Sequence, residues 1–413
     1  MAKRGPASVA AKKPGVKDYA ARRAAVLREL RGAIGLVFAG EGGGHLRGQW
    51  EADRSFYYLT GIGDEAGAAV LFDGANPDPR RRCILFLKPR DPEVEMWDGH
   101  RDAIGSALKA RTGFDTVLRT RALPNVLATI TRQRKRLATL HPPSLHTGAV
   151  PPDLALFRQL CERTAGVSIE DRSGVVPSLR AIKSPIELAA ISRAIDATLA
   201  GHRAAAAVMK PGANERDVQE ALERAMRDAG GDGTAYNSII GAGPNAAVLH
   251  YMRNNAAIEP GDLVLIDAAA TMDGYAADIT RTYPASGKFS ADQLDVYRTV
   301  LRAQRAAIAV VKPGNHMWQA DEAAREIIDK AGFADAFYHG IGHPLGLEVH
   351  DVASDGALKA GMVVTVEPGV YVEERRLGIR LEDDVLVTQG GSRNLSAHIP
   401  IEPKDVEAMV RGR

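Results

Sequence analysis

Cysteine is nearly absent: Cys83 and Cys161 are the only two in 413 residues. A disulfide framework and a cysteine-built zinc site are therefore excluded, and a reducing cytoplasm is the expected compartment. Net charge is nearly absent too. Lys plus Arg number 53 and Asp plus Glu 51, a formal balance of +2. A dedicated nucleic-acid binder carries a strongly basic footprint, so no nucleic-acid partner is expected. No apolar run approaches the ~18 residues of a membrane span, and no apolar segment follows the basic start Met1-Ala-Lys-Arg4. Neither a membrane partner nor a signal peptide is expected. Short-period repeats and long low-complexity stretches are also lacking. What remains is ordinary for a globular chain: 45% hydrophobic and 25% charged residues exclude global disorder. At roughly 150 residues per domain, the length predicts two or three domains.

Residues 1–16 scatter Lys3, Arg4, Lys12 and Lys13 among Ala, Gly and Pro, which reads as a disordered tail. A first domain is expected over 17–173. It opens with a helix to Leu30 and a buried strand at Gly35–Ala39. Phe56–Thr60, Ala68–Phe72 and Cys83–Leu87 are further short apolar runs between turn signals. Helical patterns at Ala122–Thr131 and Pro152–Cys161 alternate with them, so this half is α/β. A second domain is expected over 174–413. Ser184-Pro-Ile-Glu187 fits a helix start, with Ser184 as cap, Pro185 at the first position and Glu187 reaching back. Leu188, Ile191, Ile195 and Leu199 then form one apolar stripe. A second helix spans Asn214 to Asp228, stopped by Gly230-Gly231. Beyond residue 235, β-type runs dominate: Ser238–Ile240, Leu263–Ile266, Val363–Val366 and Gly378–Thr388. Helices near Ala291–Val311 and Gln319–Ala331 interrupt them. Without regular βαβ alternation, this half reads as α+β.

Two glycine-rich segments carry little. Gly241-Ala-Gly-Pro-Asn-Ala246 matches a dinucleotide-binding pattern, but Pro244 opposes a helix start with free N–H groups, and a turn is the default. Gly40–Gly48 lacks the lysine and hydroxyl of a phosphate loop and reads as flexible. The informative feature is acid inside apolar strands. Asp267 ends Leu263–Ile266, Asp278 lies in Tyr275-Ala-Ala-Asp-Ile-Thr280, Glu367 ends Val363–Val366, and Glu382 precedes Asp383 and Asp384. An unpaired buried carboxylate is very costly. One such acid is usually a salt bridge or a cap. Four of them would need four separate compensations, or one cluster of divalent cations. Between the two acid pairs stand His339, His343 and His350, with Gly340, Gly342 and Gly346 letting backbone approach closely. Carboxylates plus one histidine form a hard, oxygen-rich set that suits Mn²⁺ better than a structural zinc site.

With these motifs in place, nearly the whole chain, from about Lys17 to Met409, resembles the aminopeptidase P and prolidase group of dinuclear metallopeptidases. The resemblance implies an α/β N-terminal domain followed by an α+β pita-bread catalytic domain. Its ligand order of Asp, Asp, His, Glu, Glu falls on Asp267, Asp278, His343, Glu367 and Glu382. Its proton-shuttling and substrate-contacting residues fall on His250, His350 and Arg380. Phe56-Tyr-Tyr-Leu-Thr-Gly61 and Arg90–Gly99 resemble its N-terminal domain. One departure is Ala269, where the family usually has glycine. Two divalent ions are implied, Mn²⁺ first, with Zn²⁺ or Co²⁺ as alternatives. The expected partner is a proline-containing peptide, and a homodimer or homotetramer is expected.

The implied reaction is metal-dependent hydrolysis of the Xaa-Pro bond. Two metals lower the pKa of a shared water. Glu367 is expected as general base, His250 and His350 as hydrogen-bond partners of the oxyanion and the leaving proline nitrogen, and Arg380 as an orienting group beside the metals. Retention of every ligand argues against a non-catalytic pita-bread binding module and against creatine hydrolysis. Within the group, a prolidase must read the free carboxylate of a dipeptide, and arginine is the natural reader. The stretch Asp351–Val366, where longer prolidases carry that arginine, has none. The tail Asn394-Leu-Ser-Ala-His-Ile-Pro also favours Xaa-Pro aminopeptidase over Xaa-Pro dipeptidase. The exposed-looking pair Arg375 and Arg376 keeps the dipeptidase reading open.

Overall fold

The computed structural model describes residues 13–41, 50–144, 147–352 and 356–412. The expected tail at 1–16 and the flexible loop at Gly40–Gly48 fall largely outside them. The chain forms two compact units, Pro14–Arg180 and Ala181–Arg413, with Lys13 belonging to the latter. Among the described residues no helix is long and apolar enough to cross a membrane.

The first unit is built on β1 (Ile34–Phe38), β2 (Ala69–Asp73), β3 (Cys83–Leu87), β4 (Thr116–Arg119), β5 (Arg136–Thr139) and β6 (Ser168–Asp171), in the order β4-β3-β2-β1-β5-β6. β1, β2 and β3 pair antiparallel, while β4, β5 and β6 join in parallel. Helices α1 (Val16–Leu30), α2 (Arg54–Thr60), α3 (Pro92–Asp98), α4 (Ser106–Thr112), α5 (Leu123–Gln133), α6 (Pro152–Arg163) and α7 (Val175–Ala181) accompany the sheet. Ile34, Leu36, Leu71, Ile84, Phe86, Leu127 and Phe157 share one apolar core. The run Phe56–Thr60, grouped by its apolar character with the strands, is helical in α2. Asp53 decides it, accepting the Ser55 and Phe56 amides; a helix of seven residues is too short to show a 3.6-residue period.

The second unit opens with α8 (Pro185–Val208), whose start is the capping box expected at Ser184 and Glu187. α9 (Glu215–Asp228) follows, capped by Asn214. Then come β7 (Gly233–Thr234), β8 (Ile239–Ala242), β9 (Leu263–Asp267), β10 (Ala270–Met272), β11 (Tyr275–Ala276) and β12 (Thr280–Pro284), and next α10 (Ala291–Val310) and α11 (Met317–Lys330). The chain closes with β13 (Val363–Val366), β14 (Gly369–Val372), β15 (Leu377–Arg380), β16 (Asp383–Thr388), β17 (Gly391–Asn394) and α12 (Pro403–Arg411). The sheets are β12-β9-β8, β11-β10-β7, β13-β16-β17 and the pair β14-β15. Helices and mostly antiparallel strands are segregated, as an α+β unit requires.

The run Gly378–Thr388 is not one strand. It breaks at Leu381-Glu382, so β15 and β16 belong to different sheets. The break is held by Leu381 donating to Pro368 O at 3.3 Å and Glu382 donating to Thr280 O at 3.2 Å. Gly241-Ala-Gly-Pro-Asn-Ala246 runs from β8 into a 3₁₀ turn over Gly243–Ala247, the turn reading. Gly378 is required there: a Cβ on it would lie 1.8 Å from Ala246 O.

Candidate active site

Two strand pairs of similar design deliver the acids. In β9–β12, Asp267 lies opposite Thr280, and Asp278 precedes β12 by two residues. In β13–β16, Val366 lies opposite Asp383, so Glu367 and Glu382 continue the two strands on the same end. Each pair is interrupted by a hairpin, β10–β11 in one and β14–β15 in the other. The two pairs are tied together at the acids. Asp278 N donates to Asp384 Oδ2 at 3.2 Å, and Thr280 Oγ1 donates to Glu382 Oε2 at 2.6 Å. Arg380 Nε reaches the same Thr280 oxygen at 3.2 Å. Arg380 and Glu382 thus meet at one point although no continuous strand joins them.

His343 arrives from the loop before β13. Its amide donates to Thr365 Oγ1 at 3.0 Å, and its carbonyl accepts from Thr365 N at 2.8 Å. The close approach depends on Gly342, where a Cβ would fall 2.2 Å from Thr365 O. Nδ1–H of His343 donates to Pro344 O at 3.1 Å. This leaves the Nε2 lone pair facing the acids, 3.4 Å from Asp278 Oδ2 and 3.5 Å from Glu367 Oε1. Asp278, His343 and Glu382 each bring a ligand atom within 4.8 Å of the others. A histidine whose far nitrogen is pinned by a carbonyl is the usual arrangement of a metal-ligating imidazole.

The electrostatics show a shortage of positive charge. Arg380 Nη2 lies 2.5 Å from Asp267 Oδ2. It is the only lysine or arginine paired with any of the four acids among the described residues. Burial raises the carboxyl of Asp278 above the ordinary range against the opposing pull of His343, and burial and then the neighbouring acids raise that of Glu382. Burial and Asp278 push Glu367 up to about 7. Burial opposes the His343 imidazolium, but Asp278 and Glu367 outweigh it and raise its pKa. Oxygen donors in excess, one oriented imidazole and too little counter-charge fit hard or borderline divalent cations.

The His350 ring lies beside that of His343, with centroids 4.0 Å apart and the planes tilted by 46°. It is exposed, and burial together with His343 lowers its pKa. His250 is exposed as well, beyond the 3₁₀ turn, and its charge also bears on His350. Arg375 and Arg376 engage acids elsewhere: Arg375 is 3.5 Å from Asp292 and Arg376 3.8 Å from Asp262. Asp262 immediately precedes β9, so at ~3.3 Å per residue it stands roughly 16 Å of strand away from Asp267.

Sequence reasoning missed Tyr236. Its hydroxyl lies 2.5 Å from both Asp267 Oδ1 and Asp278 Oδ1, bridging two acids that would otherwise repel. Its backbone is set beside Ala269, whose carbonyl accepts the Ala235 amide at 2.8 Å; the extra methyl of Ala269 is fully buried. No local signal marks a tyrosine in a loop for such a place. Tyr371 was missed too. Arg380 Nη1 donates to its hydroxyl at 2.9 Å, and that hydroxyl donates to His339 Nε2 at 2.9 Å. His339 is thereby neutral, its pKa lowered to about 4 by burial first.

Comparison with known proteins places the chain in a family. Residues 189–389 match the model of metallopeptidase family M24, and residues 19–140 match that of the aminopeptidase P N-terminal domain. Xaa-Pro aminopeptidase of Haemophilus influenzae is 33% identical over 87% of this chain and 88% of its own. That of Escherichia coli is 30% identical over 95% and 97%. Among solved structures, Pseudomonas aeruginosa aminopeptidase PepP superposes with a TM-score of 0.86 at 30% identity, covering 97% of this chain and 99% of that one. Aminopeptidase P from E. coli with the inhibitor Pro-Leu gives 0.86 at 29% identity, covering 97% and 100%. Two domain models in the family's order, and similarity along nearly the full length of its members, show that this chain belongs to the aminopeptidase P family of M24 metallopeptidases.

Proposed function

We infer that the chain is a metal-dependent Xaa-Pro aminopeptidase, which hydrolyses the bond between an N-terminal residue and a following proline. The observation that carries this reading is the convergence of Asp278, His343 and Glu382 in a chain similar end to end to Xaa-Pro aminopeptidases. Asp267, Asp278, His343, Glu367 and Glu382 would hold two divalent ions, Mn²⁺ in the first instance. Bound there, such ions polarise the scissile carbonyl and lower the pKa of water, and they reverse the raised carboxylate pKa values.

The chain's own residues supply the rest. Glu367 accepts the proton of the attacking water, as a carboxylate facing both Asp278 and His343 can do. Arg380 holds Asp267 on one side, and Tyr236 holds it on the other. His350, whose ring lies beside that of His343, donates to the developing oxyanion. His250, exposed beyond the 3₁₀ turn, hydrogen-bonds near the proline. Proline's nitrogen is tertiary and its ring fixes φ, so the site must grip a ring and not an N–H. The absence of arginine between Asp351 and Val366, with Arg375 and Arg376 engaged by Asp292 and Asp262, supports peptides longer than two residues over dipeptides. A homo-oligomer in a reducing cytoplasm completes the reading; both cysteines are free thiols.

The test compares kcat/KM on Xaa-Pro and Xaa-Pro-Xaa, with metal content measured on the same sample. A higher value for the tripeptide with bound Mn²⁺ is expected. Full activity in a metal-free preparation would sink the mechanism. A tenfold preference for the dipeptide would turn the reading to a prolidase.

A further inference from the structure

The segment that carries His250 hangs on one buried carboxylate. Glu215 opens α9 and is wholly buried. Its Oε1 accepts the Ala242 amide at 2.8 Å and the Asn245 side-chain amide at 3.0 Å. Its Oε2 accepts the Tyr251 hydroxyl and the Ala256 amide, each at 2.9 Å. All four donors lie within residues 242–256. No cation pairs with Glu215 among the described residues, so these four bonds offset the cost of burying its charge.

The same helix face continues the attachment at four-residue steps. Gln219 Oε1 accepts from Asn254 Nδ2 at 3.0 Å, and Glu223 Oε1 accepts from Ser238 Oγ at 2.9 Å. Asn254 then donates to Ser238 O at 2.7 Å and accepts the Ile240 amide at 3.0 Å. His250 takes no part. Its side chain makes no hydrogen bond among the described residues. Its neighbours Leu249 and Tyr251 pack on the small cluster of Ile239, Ala246, Leu265 and Tyr371, while His250 itself is exposed. The backbone alone therefore places His250, and Glu215 places that backbone.

We propose that Glu215 is the positioning residue for His250: it fixes the loop so that the imidazole meets the substrate. The proposal rests on the reading of His250 as a substrate-contacting group. A carboxylate is needed, because an amide of equal size offers a single acceptor oxygen. In Glu215→Gln the new NH₂ would face either the Ala242 amide or the Ala256 amide, and neither backbone N–H can reverse its role.

The experiment is a double-mutant cycle on the metal-loaded enzyme. Glu215→Gln should lower kcat/KM on the order of 10- to 100-fold, the cost of a displaced catalytic group, with metal content unchanged. Tyr251→Phe removes one of the four bonds and should cost a few-fold by the same argument. In a His250→Ala background, each change should cost less than about twofold more, because the group it positions is gone. Fully multiplicative losses would overturn the proposal and leave Glu215 a scaffold residue, as would loss of metal in Glu215→Gln. Wild-type activity in His250→Ala alone would instead refute the reading of His250, and the proposal with it. Should Glu215→Gln fail to fold, the Tyr251→Phe cycle decides by the same criteria.

Discussion

The two units bury charge in opposite ways. In the unit over 14–180, the two fully buried aspartates are each answered by a basic side chain, and the buried Arg23 by carbonyls and a ring. Asp73 pairs with Arg134 at 3.0 Å and Asp153 with His141 at 3.2 Å. Arg23 donates to the Leu59 and Gly113 carbonyls and lies 3.9 Å over the Phe114 ring. The unit over 181–413 has matched pairs too, Arg281 with Asp383 and Lys183 with Asp351. Yet it also gathers Asp267, Asp278, Glu367 and Glu382, four acids that among the described residues meet one arginine, Arg380, and the imidazole of His343. In the first unit the buried aspartates Asp73 and Asp153 are answered as folded. The second gathers more acid than the basic groups beside it answer, and such a place is where perturbed carboxyls and function tend to coincide.

The largest effect should follow from touching that deficit. Chelation should abolish activity, by at least ~10³-fold, since metals supply both the electrophile and the nucleophile. Glu382→Gln or Asp278→Asn should lose at least one metal and a similar factor in rate. The comparison makes a further demand: without metal, either variant should melt higher than metal-free wild type, because one repelling charge is gone. The pH dependence has a definite sign. Glu367 has its folded pKa raised to about 7 from an ordinary 4.5. Its contribution is therefore fully present below about 4.5 and lost as pH rises through about 7. Metal-free protein should lose stability across that window, and saturating Mn²⁺ should remove the loss. Calorimetry of the unit over 181–413 reads both; metal-free variants that melt lower than wild type would break the comparison.

Next in size is a matched pair inside the unbalanced unit. Lys183 Nζ and Asp351 Oδ2 are 3.2 Å apart with both side chains 1% exposed. Asp351 N donates to Pro344 O at 2.9 Å, the same carbonyl that orients His343. Lys183→Met takes the cation away from a buried carboxylate and should cost about 3–5 kcal/mol, a fall in Tm of roughly 10 °C for a unit of this size. Adding Asp351→Asn should recover most of it. A fall of less than ~1 kcal/mol would show the pair to be wetter than its geometry implies.

The sequence made the deficit legible and the matches illegible, for one physical reason. Asp267, Asp278, Glu367 and Glu382 stand out because acid in an apolar strand breaks a local pattern. Ser184-Pro-Ile-Glu187 was readable because a cap is local as well. Tyr236 reaches acids 31 and 42 positions away, and Glu215 reaches donors 27 to 41 positions away. Such partners leave no mark in their own neighbourhood. The break at Leu381-Glu382 was hidden because two successive strands alternate as one strand does. In α2 a single cap at Asp53 outweighed an apolar run that was too short to declare its period.

In the matched unit the expected effect is smaller and again has a sign. Burial opposes a charged His141, but Asp153 outweighs it and raises the imidazole pKa. Burial likewise opposes the Asp153 carboxylate, but His141 and the Leu140 and His141 amides lower its pKa. The histidine's contribution is present below its unfolded pKa and lost as pH rises through the higher folded value. That of the aspartate is present above its unfolded pKa and lost as pH falls through the lower folded value. The pair therefore supports this unit most between about 4 and 6.5. Its Tm should decline as pH rises past neutrality, whether or not metal is present, and His141→Gln should flatten that decline. A decline that depends on metal would mean the two units are not electrostatically distinct.

The smallest effect belongs to charges that are matched and exposed. Arg375 and Arg376 have side chains 47% and 60% exposed, and pair with Asp292 and Asp262 at 3.5 and 3.8 Å. Arg375 also lies 5.7 Å over the Phe333 ring. Pairs of this kind contribute about 0–1 kcal/mol, and neither is directed at the acids. A dipeptide's carboxylate, by contrast, would need an arginine free to grip it with two parallel hydrogen bonds. Arg375→Ala and Arg376→Ala should therefore leave the ratio of kcat/KM for Xaa-Pro and Xaa-Pro-Xaa within about twofold of wild type, the scale of an exposed pair, with the tripeptide preferred throughout. If either substitution instead abolishes dipeptide cleavage and spares the tripeptide, that arginine leaves its acid when substrate binds. The chain would then carry a reader of peptide length in what its structure presents as a solvated turn.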